Sequence, residues 1–436
     1  MSADARRSNR ATAAGILSAL AAQAGLVVSG IIVARALGPT DRGLLALVTL
    51  VPLILWQLGS LGLPLSVTYF VARSESSVRP VSKILRRARR VQLAVLMPLG
   101  AAGALSLAEF RGNELLVPAV IALGVIPAQL VHQYMLALLL GLRRWHLFYA
   151  LRVLPVAVWI AGLIVFFSVG VLNLLTAALS YTASHAVTAL LSTAVVRRHI
   201  AAIPPSDEGS TPAPSFGWMT RFGIRGLLGS ASVTQTYRLD QAIVGLFLPP
   251  AALGIYVVAL SLTTLPRFIA QSIGFKAYPE TARQHDWRAA RRTLWSYFWL
   301  AVVACSVVVG ALWLTAPVLL PFFFGSEFAR SVPVVRILLL ATLLVSIQRV
   351  LIDGARGIGR PGIGSLSELA LLTALVPAAG VLMPRAGLEG VSWALVIASA
   401  VGFVFVLSSV LLARADTRTG PETMATGAAP AMSSGP

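Results

Sequence analysis

Cysteine is all but missing: the 436-residue chain has one, Cys305. It lies inside an apolar run, which excludes an intrachain disulfide and any cysteine-based metal site. Charge is scarce as well. Charged residues make up 12% of the chain, about half the ~25% of soluble globular proteins. Acids are the rarer sign, 16 against 35 Lys and Arg. There is no Walker A sequence, which excludes ATP hydrolysis by that route, and no Asp-x-Asp motif or soluble nucleotide-sugar domain. The stretches between apolar runs on the outer side are short, with few acids and no histidine, so a periplasmic active site has nowhere to form. The expectation is a protein that is not an enzyme and uses no cofactor and no metal.

What the chain has is apolar residues, 57% of the total. A membrane-spanning helix needs ~20 of them, so the stock fills about a dozen spans and leaves little for soluble cores. The formal charge of +19 does not point to nucleic acid, because the basic residues sit in short clusters and form no basic domain. Windows with few charges fall at 12–34, 43–72, 91–108, 116–142, 148–168, 172–195, 226–246, 252–274, 294–314, 334–352, 362–383 and 389–412. An all-α polytopic membrane protein of twelve helices is predicted. The first span starts too near the N-terminus and runs too long for a cleaved signal peptide, and reads as a signal anchor.

Placing the N-terminus (Arg6, Arg7, Arg10) in the cytoplasm puts about 25 Lys and Arg on that side, about 6 opposite and four inside spans. The positive-inside bias therefore predicts an N-in/C-in orientation. The densest cluster is Arg79, Lys83, Arg86, Arg87, Arg89 and Arg90. It reads as a topology signal or as a contact for anionic membrane lipids, at ~1 kcal/mol per residue near the surface. Residues 200–225 have the Pro, Ser, Gly and acid content of a linker, and residues 413–436 that of a disordered cytoplasmic tail. The predicted organisation is a cytoplasmic N-terminus (1–11), a six-helix lobe (12–199), the linker, a second six-helix lobe (226–412) and the tail.

The lobes look related. Leu37, Pro39 and Gly43 between the first two spans recur as Leu248, Pro250 and Gly254, at a constant offset of 211. The helices that follow end at Ala72-Arg73 and Ala282-Arg283. This favours a parallel repeat about an axis along the membrane normal, with a site between the lobes.

Ionisable residues inside the membrane cost at least ~2.5–3.5 kcal/mol each and normally face a polar cavity. Arg152 and Arg349 lie near the cytoplasmic ends of their spans and can snorkel; Arg238 and Arg267 lie too deep. On helix seven, Ser230, Thr234, Arg238 and Gln241 form one stripe; on helix eight, Tyr256, Thr263, Arg267 and Gln271 form another. The two stripes could line one cationic cavity or form a structural polar network. Asp240 falls about 200° from Arg238 around a helix, so it either pairs with another helix or carries a proton or cation. His132 and His185 sit mid-span, either as neutral histidines satisfied by neighbours or as a proton relay. Gly59–Pro64 in helix two and Pro266 in helix eight are expected to break their helices, which is tolerated beside protein or a water-filled cavity. Residues 315–333 read as an outer interfacial loop.

These residues also carry a resemblance. Ala34-Arg35-Ala36-Leu37-Gly38-Pro39-Thr40-Asp41-Arg42-Gly43, Tyr237-Arg238-Leu239-Asp240, Leu253-Gly254-Ile255-Tyr256, Phe324-Gly325-Ser326-Glu327-Phe328 and Gly387-Leu388-Glu389-Gly390-Val391 resemble, in order and spacing over residues 12–412, Wzx-type polysaccharide flippases. The resemblance implies the multidrug/oligosaccharidyl-lipid/polysaccharide (MOP) exporter superfamily, a MATE-like fold and alternating access. It implies a substrate of undecaprenyl-pyrophosphate-linked oligosaccharide for O-antigen, exopolysaccharide, capsule or lipopolysaccharide assembly. Polysaccharide polymerase and chain-length machinery are the implied protein partners, and a bacterial inner membrane the implied location. Lipid II flippases of the superfamily typically carry an arginine within the first helix, where this chain has only Arg35 at the outer end. MATE-type multidrug and cation antiporters tend towards acidic or aromatic cavities. A glycan polymerase or ligase would need a large outer loop.

Overall fold

An apolar segment in hydrocarbon must satisfy its backbone internally, so it spans as a helix. The computed structural model describes residues 3–203, 215–230, 238–284, 286–358, 360 and 362–412, and every regular element among them is helical. Nine of these helices are long and apolar enough to cross a membrane. Two of the nine are double. Ala3–Gly59 is two spans that reverse at Gly38 (φ 70°), and Gly362–Leu411 reverses at Gly387 (φ 51°). Both turns need the left-handed backbone that glycine adopts without a Cβ clash. A further span is written as two pieces, Phe216–Ser230 and Leu239–Phe247. The total is twelve, in two six-helix lobes.

Each lobe has its own core. One packs around Leu63, Tyr134 and Leu138, the other around Tyr256, Phe324 and Leu339, all almost fully buried. Outward faces carry exposed apolar side chains, such as Val91, Val95 and Leu99 on the third span, suited to lipid.

Several sequence expectations shift. The seventh helix begins at Phe216, inside the expected linker 200–225, of which 204–214 lie outside the described residues. The first helix begins at Ala3, within the segment assigned to a cytoplasmic N-terminus; residues 413–436 lie outside the described residues. Residues 315–324 are no loop, since Trp287–Phe324 is one helix that carries Pro317 and Pro321. Its stop is Gly325, followed by a 3-10 turn, Ser326–Ser331. The second and eighth helices are interrupted as expected. The second resumes as Leu63–Arg73 after Gly62 (φ 67°). The eighth breaks at Thr263 between Pro250–Leu262 and Thr264–Ala282, where the Pro266 ring opposes the carbonyl four residues back.

The repeated turn motifs meet across the lobes. A Cβ on Gly43 would lie 1.7 Å from the Pro250 carbonyl oxygen, and one on Gly254 would lie 1.9 Å from that of Pro39. The residues at the 211 offset thus touch reciprocally, as a two-fold axis between the lobes requires. We call this end, opposite the described chain termini, the distal face. Two arginines flank the seam. Arg35 at the end of span one donates Nε to the Phe323 carbonyl at 2.8 Å and Nη2 to that of Phe322, at the end of span nine. Arg111 at the end of span three donates Nη2 to the carbonyls of Gly245 (2.9 Å) and Leu248 (2.7 Å), at the end of span seven. Cationic side chains at helix C-termini complement the carbonyls left unpaired there. Towards the other face the lobes also meet where Gly62 lies against the Gly223 backbone and Ser66 hydrogen-bonds the Met219 carbonyl.

Candidate functional site

Below the distal seam a cavity of about 440 Å³ lies between the lobes. Its ionic wall belongs to the second lobe: Arg238, Asp240 and Gln241 from span seven, Arg267 and Gln271 from span eight, and Arg349 from span ten. The first lobe adds Arg42, Gln23, Trp159 and Tyr181. Four arginines therefore face one cavity with a single carboxylate among its lining residues. The Nε atoms of Arg42 and Arg267 are buried and have no hydrogen-bond partner among the described residues.

Arg238, Gln241, Arg267 and Gln271 come together as the sequence predicts, but by a different local route. Arg238 is in the left-handed region (φ 49°) and stands as N-cap of Leu239–Phe247. The helical angle between Arg238 and Asp240 therefore does not apply, and residues 231–237, which would carry the stripe from Ser230, lie outside the described residues. Thr234 lies outside the described residues. On span eight the break at Thr263 changes the register. Thr263 is fully buried and bonded to the Leu260 carbonyl, while Thr264 faces the cavity and receives a hydrogen bond from Gln23 Nε2 at 3.3 Å.

Tyr256 is not a cavity residue. It is fully buried, and its hydroxyl donates to Asp240 Oδ2 at 3.0 Å. It fixes the carboxylate from behind. The other oxygen, Oδ1, is buried without a partner among the described residues.

Two further arginines line the cavity where the sequence does not place them. Arg42, apparently part of the first turn, is already on the second span because the chain reverses at Gly38; it is 9% exposed and lines the cavity. Arg349, read as snorkelling, also lines the cavity, its Nε bonded to Asp353 Oδ2 at 3.0 Å while Arg356 takes Oδ1 at 3.0 Å. An arginine followed four and seven residues later by an acid and a second base was the available signal.

The histidines lie behind the first lobe's wall. His132 Nδ1 is 3.2 Å from Ser192 Oγ. His185 has no hydrogen-bond partner for either ring nitrogen among the described residues, and packs edge-on against Tyr181 at 4.7 Å between centroids. Neither lines the cavity. No group of three or more His, Cys, Asp or Glu that could hold a metal occurs among the described residues.

This architecture has solved counterparts. An inward-facing multidrug resistance MATE family transporter of the MOP superfamily is 16% identical, with a TM-score of 0.68 over 89% of this chain and 94% of that one. The lipid II flippase MurJ, in an inward closed conformation, is 12% identical, with a TM-score of 0.69 over 91% and 87%. An outward-facing MATE transporter is 16% identical, with a lower TM-score of 0.57 over 92% and 96%. These likenesses establish the fold, the twelve-helix, two-lobe architecture shared by those MATE and MurJ proteins. No match was found among curated proteins. The profile described as "Polysaccharide biosynthesis protein" matches residues 12–285, more than half of the chain, and the protein belongs to that family.

Proposed function

We propose that the protein is a flippase that moves undecaprenyl-pyrophosphate-linked oligosaccharide across a bacterial inner membrane, from the cytoplasmic to the outer leaflet, for O-antigen, exopolysaccharide or capsule assembly. The observation that carries this reading is the staggered set of arginines in one cavity. At 1.5 Å per residue, Arg42 is ~6 Å along its helix from Gly38, and Arg267 is ~25 Å from Pro250 at the same face. The set thus spans roughly 20 Å of depth, with Arg267 and Arg349 at one end, Arg42 at the other, and Arg238, ~15 Å along its helix from Leu248, between them. A pyrophosphate crossing hydrocarbon needs cationic partners at successive depths, and a single site would hold it in place.

The basic bias supports an N-in/C-in orientation, which makes the distal face the outer one. With that face shut, substrate would enter from the cytoplasmic side, past the lobe contacts at Gly62 and Ser66. A cavity of this volume is of small-molecule size, ~300–1,000 Å³. It accommodates the pyrophosphate and its first sugars, with the lipid tail outside in the bilayer. Transport, not catalysis, is the role, and a cationic drug would meet four like charges. Asp240 is the group we assign to proton or cation coupling. His132 and His185 would reach the cavity through Tyr181.

The test is flipping of a lipid-linked oligosaccharide in proteoliposomes, with and without a pH gradient, for Arg238→Ala, Arg267→Ala and the double variant. Arg267→Ala should abolish flux with the melting temperature retained. Arg267→Lys should restore only part, because a point charge cannot reproduce the guanidinium's planar contact with phosphate oxygens. Full flux in the double variant refutes the reading, and stability lost in proportion to flux makes the arginines a structural network.

A further inference from the structure

The two walls of the cavity differ in kind. Three of its four arginines and its aspartate belong to the second lobe; the first lobe contributes Trp159 from span five and Tyr181 from span six. Gly162 lets these spans approach closely, since a Cβ there would lie 2.2 Å from Ser180 Oγ. That hydroxyl donates to the Trp159 carbonyl at 3.4 Å. The approach sets Trp159 and Tyr181 edge to face, with centroids 5.2 Å apart at 75°, and His185 braces Tyr181 from behind.

Trp159 is 9% exposed, and its Nε1–H is buried without an acceptor among the described residues. Buried polar groups ordinarily have partners, so an unpaired indole N–H on a cavity wall marks a place where a ligand oxygen fits. An aromatic body with a polar handle matches one class of ligand well. A sugar ring offers a C–H-rich face for the aromatic rings and hydroxyl oxygens for the indole N–H.

We propose that Trp159 and Tyr181 form the saccharide subsite of the cavity, so that the glycan of the substrate rests on the first lobe while its phosphates are held by the second. The inference depends on the flippase reading. It adds that one substrate bridges both lobes, so that substrate occupancy bears on how the lobes move apart.

The experiment measures binding to the full-length protein in detergent with two probes, farnesyl pyrophosphate and farnesyl-pyrophosphate-linked N-acetylglucosamine. The unaltered protein should bind the sugar-bearing probe about tenfold more tightly, the scale of one or two good aromatic contacts. Trp159→Ala should bring the ratio to about one. Trp159→Phe, which keeps a ring but loses the N–H, should fall between. Arg267→Ala should weaken both probes and preserve the ratio. If the unaltered protein binds neither probe, the flippase reading itself fails. If it binds both equally, or if Trp159→Ala weakens both alike as a contact with the prenyl tail would, the saccharide subsite is refuted while the flippase reading stands.

Discussion

Gly254→Ala is the most economical perturbation of this protein, because it adds one methyl group where the lobes touch. The new Cβ would lie 1.9 Å from the Pro39 oxygen and 2.9 Å from its carbonyl carbon. Ordinary contact begins near 3.4 Å, so the backbones must part by about 1.5 Å. Neither side can yield by rotating a side chain, because the listener on the far side is main chain within a helical turn. Overpacking of this kind costs ~1–3 kcal/mol, which multiplies the ratio of distally open to distally closed molecules by ~5–150. Gly43→Ala makes the reciprocal clash, 1.7 Å from the Pro250 oxygen, and should act in the same direction. The assay is labelling of Thr49→Cys, a cavity position, by an impermeant thiol reagent applied from the distal side in a Cys305→Ser background. Labelling should rise steeply in both alanine variants, and flux should fall because the closed state is reached less often. Gly310→Ala, with nothing within 4 Å of its added Cβ, is the control and should change neither. Unchanged labelling and flux in Gly254→Ala would refute the claim that this seam closes the distal face.

Other outcomes are expected. Arg111→Ala removes donors to the carbonyls of Gly245 and Leu248 and should raise distal labelling of the same reporter, by an amount consistent with ~1.5–3 kcal/mol per charged hydrogen bond at most. Tyr256→Phe takes away the hydrogen bond to Asp240 and should lower thermal stability by ~1–3 kcal/mol, seen as a reduced melting temperature in detergent. Asp353→Asn weakens the anchor of both Arg349 and Arg356. Because these arginines are 39% and 29% exposed, the loss should be near ~1 kcal/mol and measurable as a melting shift. For orientation, a cysteine at Asn113 should label from outside intact cells and one at Ser77 should not; the reverse pattern would invert the topology.

The spans were legible because a hydrocarbon solvent leaves only helices, and the turn motifs at the 211 offset disclosed the repeat before their contact was visible. Arg267 and Gln271 could be placed because they sit on one regular helix beyond the break at Thr263. What escaped was wherever the backbone departs from the helix. Arg238 adopts a left-handed conformation that no residue pattern announces, and Thr263 and Thr264 exchange roles across a one-residue interruption. Arg42 hid in a sequence that looks like a loop, because the reversal is completed by a single glycine. Arg349 hid because a basic residue near a helix end can snorkel whether or not it also lines a cavity. Trp159 and Tyr181 were unreadable for a simpler reason: on apolar spans an aromatic residue facing a cavity looks the same as one facing lipid.

The two arginines that flank the distal seam end on main-chain oxygens, and this makes the receiving half of each contact invisible to genetics. Replacing the side chain at Phe322, Phe323 or Leu248 leaves the accepting carbonyl where it was. Among relatives the donors at positions 35 and 111 should therefore stay fixed while the opposite positions drift, with no paired changes to reveal the contact. Carbonyls also take up no proton over the biological range. A closure built from carboxylates would loosen in an acidic exterior, whereas the accepting side of this one keeps its character whatever medium the cell surface faces.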